Sequence, residues 1–224
     1  LETQLLTKKM SSRIFSEIMN EPGAYLIVHE VTKALDEERK RRLKFYNDIT
    51  EQEKIEFING EIIVHSPVQK KHNQISLRLA HLLGIYVTKS RLGYLGMEKI
   101  MITLTRNDYE PDFCYFRNEK AANFSDNQTL FPAPDFVVEI LSPSTEARDR
   151  GIKFKDYQTH GIEEYWIIDP ELEILEQYHL IDNKYELVPS SDTGEVKSFA
   201  VEGFQIPIRA IFDDMENLKA LQNL

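Results

Sequence analysis

The chain is poor in cysteine: Cys114 is the only one in 224 residues. A single thiol rules out an internal disulfide framework and fits a reducing compartment, so a cytoplasmic location is expected. No apolar run approaches the roughly 20 residues needed to span a bilayer, and no membrane partner is expected. The opening LETQLLTKKMSSR has no apolar signal-peptide region and begins with Leu rather than Met. Basic charge is also short. Lys and Arg number 27 against 37 Asp and Glu, a formal net charge of −10. Proteins that coat nucleic acid are normally basic, so any such contact here needs a local basic patch or a metal ion. There is no internal repeat and no low-complexity tract. What is present is ordinary for a globular protein, with 42% hydrophobic and 29% charged residues. The length suffices for one sizeable core or two small ones.

Residues 25–47 carry Val31, Leu35, Phe45 and Tyr46 at loosely helical spacing and predict a helix. Within it, EERKRRLK (37–44) holds five basic and two acidic side chains, read either as a solvated face or as a phosphate-contacting patch. KIEFINGEIIVHS follows. Asn59-Gly60 between alternating runs predicts a hairpin, with Ile55, Phe57, Ile62 and Val64 on the core face and Glu56 on the more polar one. A 3.6-residue period then places His72, Ile75, Leu79, Leu82 and Tyr86 on one stripe of a helix over 68–88. His72 is its polar member, either a satisfied core histidine or a site residue. Strands are predicted over 93–105, 109–117 and 135–141, with a loop at 118–134. A helix over 146–160 is capped by Ser144 or Thr145 and ended by Gly161. EYWIIDP is a buried strand, ELEILEQYHL and KYELVPS a hairpin, FAVEGFQIPI a last strand, and 212–222 a terminal helix. The strand–helix–strand run at 135–169 implies a parallel pair with a crossover. The class is mixed α/β, with residues 1–50 as a helical N-terminal appendage and 51–224 as the main domain.

Glu139 interrupts an apolar strand, PDFVVEIL. A lone carboxylate there is costly unless a basic group, a raised pKa or a metal ion compensates its charge. Alternation sets Asp135, Val137, Glu139 and Leu141 on one face. Asp112 opens the preceding strand. Two carboxylates from adjacent strands could share one concavity, the donor set a hard divalent cation takes together with water. Asp149, Lys153 and Tyr157, at i, i+4 and i+8, share one helix face. That face is either a surface ion pair or the wall that meets the carboxylates.

The stretches PDFVVEILSPST, RDRGIKFKDYQTHGIEEYWIIDP, EPDFCYF, IEFINGEIIVHSPVQKKHNQISLRLAHLL and GFQIPIRAIF together resemble the bacterial Uma-type restriction endonuclease family, over about residues 50–213. The resemblance implies a restriction-endonuclease-like core of the PD-(D/E)xK nuclease superfamily (helix, three strands, helix, strand) with a β-rich C-terminal extension. It implies that Asp112 and Glu139 are the acidic metal ligands. The pattern's lysine would fall at 141, where this chain has Leu141. Lys153 matches the position at which Uma-type proteins carry theirs, in the context Asp149-x-x-x-Lys153-x-x-x-Tyr157. Glu56 and His72 match recurring family positions. The expected catalytic residues are Asp112, Glu139 and Lys153, with Glu56, His72, Asp135, Asp149 and Tyr157 in support. The expected cofactor is Mg²⁺ or Mn²⁺, the expected partner DNA, and a homodimer is allowed. Two other readings stay open: a binding or assembly module that has lost the chemistry, favoured by the acidic charge and Leu141, and a metal-dependent hydrolase of another substrate.

Overall fold

The computed structural model describes residues 13–50, 53–189 and 194–224. The chain divides into two compact units, Leu1–His65 with Thr105–Tyr109, and Ser66–Leu104 with Glu110–Leu224.

The first unit holds α1 (Ala24–Asp48), β1 (Ile55–Ile58), β2 (Glu61–Val64) and β5 (Asp108–Tyr109). Asn59 and Gly60 both take positive φ, 51° and 85°, as a tight hairpin turn requires. β1 pairs antiparallel with β2 in the expected register, Phe57 opposite Ile62 and Ile55 opposite Val64. β5 flanks its other side. The expected core face is only half realised. All four β1 residues are buried, whereas Ile62 and Val64 are each 55% exposed. The reason is position: Phe45 of α1 packs on Phe57 of the inner strand, while β2 lies at the sheet edge. Glu56 is therefore not a solvent-facing residue of a polar face but fully buried, its Oε2 3.0 Å from His65 Nε2 across the hairpin.

The basic run is largely a solvated face, but two of its charges turn inward. Arg42 grips Asp108 with Nε and Nη2 (2.6 and 2.7 Å), and Tyr46 donates to the same carboxylate. Arg106 grips the buried Glu38 in the same two-pronged way, 2.7 Å at each contact. Two charges of the run are thus internal ties; Arg39 and Arg41 stay on the exposed side.

The second unit is built on a six-stranded sheet in the order β11-β10-β9-β8-β6-β3. Its members are β3 (Gly93–Met97), β6 (Phe113–Arg117), β8 (Phe136–Ile140), β9 (Glu164–Asp169), β10 (Ile174–Ile181) and β11 (Lys184–Val188). β8 and β9 are parallel, as the strand–helix–strand run predicts; the other neighbours are antiparallel. α2 (Lys70–Ser90) packs Ile75, Leu79, Leu82 and Leu83 against Phe113, Tyr115, Phe136, Val138, Ile140, Trp166 and Ile168 in one core. Alternation turns Cys114, Val137, Glu139, Tyr165 and Ile167 to the opposite face. There the helical segment after β8 packs, with Tyr157 edge-on to Tyr165 at 5.2 Å. The order α2, β3, β6, β8, helix, β9 is the expected core.

Several boundaries move. The strand predicted over 93–105 divides into β3 and β4 (Met101–Thr103), with Glu98 at φ 60° between them. The strand over 109–117 divides into β5 and β6, which frees Asp112 from the ladder. The loop at 118–134 contains α3 (Asn118–Ala121) and β7 (Leu130–Phe131), and β7 pairs parallel with β4. In the tail, β12 (Glu195–Lys197) and β13 (Gln205–Pro207) form a two-stranded sheet. α6 (Arg209–Phe212) and α7 (Asp214–Asn223) close the chain, the latter capped by Asp213 accepting from the Met215 and Glu216 amides.

Cys114 sits fully buried between Gly96 and Val137 of the neighbouring strands. Burial pushes its thiol well up, and the negative charge of Glu139 adds to the effect, while a backbone hydrogen bond from Gly96 opposes it. A thiol so held has almost no nucleophilic thiolate at neutral pH. The folded protein is expected to resist a disulfide-exchange reagent for hours at pH 7.5 and to react within minutes once denatured. Rapid labelling of the native chain would contradict this.

Candidate active site

The site grows from two strand ends and one helical segment. Asp112 directly precedes β6, next to Phe113, which pairs with Val138, the residue before Glu139. Asp112 is 3% exposed. Its Oδ2 accepts from the Ile140 amide at 2.8 Å and lies 3.2 Å from Nε2 of His72, in the first turn of α2. His72 is buried, and its Nδ1 has no hydrogen-bond partner among the described residues.

Glu139 is also 3% exposed. Its Oε1 accepts from Lys153 Nζ at 3.0 Å and from the Tyr157 hydroxyl at 2.8 Å. Lys153 is 2% exposed and reaches Asp149 Oδ1 as well, at 3.3 Å. The surface-pair alternative for Asp149 and Lys153 is thereby excluded: both lie inside, facing the strand glutamate.

The segment that delivers them is not the single α-helix expected over 146–160. It runs as α4 (Glu146–Arg148), a π-helical turn (Asp149–Lys153) and α5 (Phe154–Thr159). Thr145 stands at the N-cap position, but its side chain caps nothing; its Oγ1 accepts from the Ser142 amide instead. The π turn explains the alignment. Four residues of α-helix overshoot a full turn by about 40°, so i and i+8 drift apart by about 80°. A wider turn rotates less per residue and takes back part of that drift. Asp149, Lys153 and Tyr157 then point the same way, 1%, 2% and 0% exposed.

One expected supporting residue, Asp135, is not gathered here. Asp135 precedes the opposite end of β8, four residues or about 13 Å from Glu139. It accepts from the Arg117 amide at 2.8 Å and pairs with Lys120 at 2.9 Å, a structural tie. Glu56 belongs to the first unit, in its pairing with His65. Leu141, at the family lysine's position, is an apolar buried residue.

Two buried groups escaped the sequence reading. Tyr165 donates to the Asp149 carbonyl at 3.1 Å; burial first, then the charges of Glu139 and Asp149, hold its hydroxyl protonated. Glu164 is fully buried in β9 and accepts from five donors: Trp166, Gln177, Ser198 and the amides of Phe199 and Ala200.

The donor set suits a hard cation. Glu139 and Asp149 are buried carboxylates that both meet Lys153, and Asp112 is a third buried carboxylate, bonded to the amide of the residue after Glu139. The surplus is negative. Among the described residues no group of three or more His, Cys, Asp or Glu is placed to hold a metal ion.

A family model described as "Uma2: Putative restriction endonuclease" matches residues 39–209. Two uncharacterized proteins of Synechocystis are similar. One, slr1290, is 32% identical over 160 residues, 67% of this chain and 80% of its own length. The other, sll1609, is 28% identical over 139 residues, 61% and 77% of the two chains. Among solved structures, that of "a putative nuclease belonging to DUF820" from Anabaena variabilis superposes with a TM-score of 0.64 at 22% identity, covering 76% of this chain and 96% of that one. The likeness establishes a fold of the restriction-endonuclease type.

Proposed function

This chain belongs to the Uma2 family, and from that premise we propose that it is a metal-dependent endonuclease hydrolysing DNA phosphodiester bonds. One observation carries the reading: Glu139, buried in the central strand, meets Lys153 at 3.0 Å, and the amide of the next residue, Ile140, donates to the buried Asp112 at 2.8 Å. Asp112 and Glu139 would hold the ion. The chemistry that Mg²⁺ or Mn²⁺ supplies when bound is polarisation of a phosphate oxygen and acidification of a water.

The chain's own groups do the rest. The Ile140 amide and His72 fix the Asp112 rotamer, and Tyr157 fixes that of Glu139. Lys153 keeps a positive charge at the carboxylate edge, placed to oppose charge that develops on the phosphate. Leu141 does not argue against activity, because Nζ of Lys153 supplies a cation beside Glu139 from the helix instead.

The test combines cleavage with metal titration. Purified protein is expected to cut plasmid or single-stranded DNA with Mg²⁺ or Mn²⁺. Asp112→Asn should lower the rate by at least about 100-fold and abolish calorimetric Mn²⁺ binding. Mn²⁺ binding without cleavage of any DNA would replace the nuclease reading with another metal-dependent hydrolase. Neither binding nor cleavage would leave the assembly module.

A further inference from the structure

Among the described residues, Arg148 is the one partly buried arginine whose side chain the fold leaves unanswered. Among the described residues, Arg42, Arg78, Arg117, Lys120, Lys153 and Arg209 are all at least partly buried, and each is ion-paired. Arg148 is partly buried too, yet its side chain has neither an ion pair nor a hydrogen bond. Its Nε is sealed from solvent without a partner. The contrast with Arg150, two residues on, is sharp: Arg150 binds Glu146 at 3.0 Å and grips Glu176 with both terminal nitrogens at 2.9 and 2.7 Å. In a chain with ten more acidic than basic residues, carboxylate partners are plentiful. An arginine kept clear of all of them, with part of its guanidinium already desolvated, is held for an anion from outside.

Its place identifies the anion. Arg148 ends α4, immediately before Asp149 and the π turn that carries Lys153. One residue is about 100° around a helix, so Arg148 stands beside the inward face rather than on it. A guanidinium there has a planar fork matched to two oxygens of a phosphate. We propose that Arg148 grips a backbone phosphate of the nucleic acid at the rim of the site. This deepens the nuclease reading and rests on it for the identity of the ligand.

Arg148→Gln and Arg148→Lys test the assignment. Binding of a fluorescent DNA duplex is followed by anisotropy in EDTA, over a range of salt, and cleavage is followed separately with Mn²⁺. Because the Arg148 side chain makes no hydrogen bond or ion pair, Arg148→Gln should melt close to the wild-type temperature. It should bind DNA about tenfold more weakly, and the salt slope should flatten by about one unit. Arg148→Lys should regain the slope but not the full affinity, since the fork is lost. In cleavage, KM should rise more than kcat falls. Wild-type affinity and slope in Arg148→Gln would overturn the proposal, as would a wild-type protein with no affinity for duplex at any salt. If the wild type binds, the variant loses the slope, and no metal yields cleavage, then the phosphate grip stands and the nuclease reading falls.

Discussion

Lys153→Met is expected to abolish cleavage and to cost the fold about 3–5 kcal/mol, the range for removing one partner of a buried ion pair. Lys153 is 2% exposed and lies within hydrogen-bond or ion-pair distance of two buried carboxylates, Glu139 and Asp149. Methionine keeps the volume and removes the charge. Two buried acids then lose the cation they share, with the Tyr157 hydroxyl still donating to Glu139. A surface lysine would cost no more than about 0.5 kcal/mol on the same change, so urea unfolding alone separates the two placements. Divalent metal sharpens the result. If Asp112 and Glu139 are ligands, Mn²⁺ should raise the melting temperature of the variant more than that of the wild type, because the ion replaces the missing charge. Equal shifts, or none, would remove the carboxylates from the metal site. Activity should not return with metal, since the positive charge facing the phosphate is still missing.

The parts of this arrangement that were legible in the sequence are those set by period. A stripe at 3.6 residues placed α2 within two residues of its observed ends, and Asn59-Gly60 fixed the β1–β2 register. The inward face of Asp149, Lys153 and Tyr157 was one of two readings that spacing allowed; the packing of Tyr157 on Tyr165 selects it. The π turn that aligns the three residues left no mark, since it arises from one locally wider turn rather than from residue type. The ties of Arg42 to Asp108 and Arg106 to Glu38 join residues 66 and 68 positions apart. No local pattern reveals such pairs, and the run 37–44 accordingly looked like a free basic surface. Ile62 and Val64 read as core because alternation reports which residues share a face, not whether anything covers it.

Glu164→Gln is expected to destabilise the protein by about 3 kcal/mol or more while leaving metal affinity and cleavage of the folded fraction intact. The sequence motif around Glu164 poses the same problem as that around Glu139, an acid at the head of an apolar strand run. The fold solves it differently. Five donors converge on Glu164: the Trp166 indole and the Gln177 amide at 2.7 Å on Oε1, and the Ser198 hydroxyl with the Phe199 and Ala200 amides on Oε2. No cation is needed, and the carboxylate ties the 198–200 turn to β9 and β10. A glutamine turns an NH₂ toward two or three of those donors, and each buried donor left unmet costs about 1–3 kcal/mol. The pH dependence should change as well. Burial pushes the Glu164 carboxyl up from its ordinary 4.5, against the opposing pull of its donors. The folded state therefore holds this proton more tightly than the unfolded chain, and the group's contribution to stability falls as pH rises from 4.5 through the raised value. That falling component should be missing from the stability–pH profile of Glu164→Gln. A variant as stable as the wild type would show that the five donors find other partners. Loss of Mn²⁺ binding in the folded variant would instead tie this second buried glutamate to the site around Glu139.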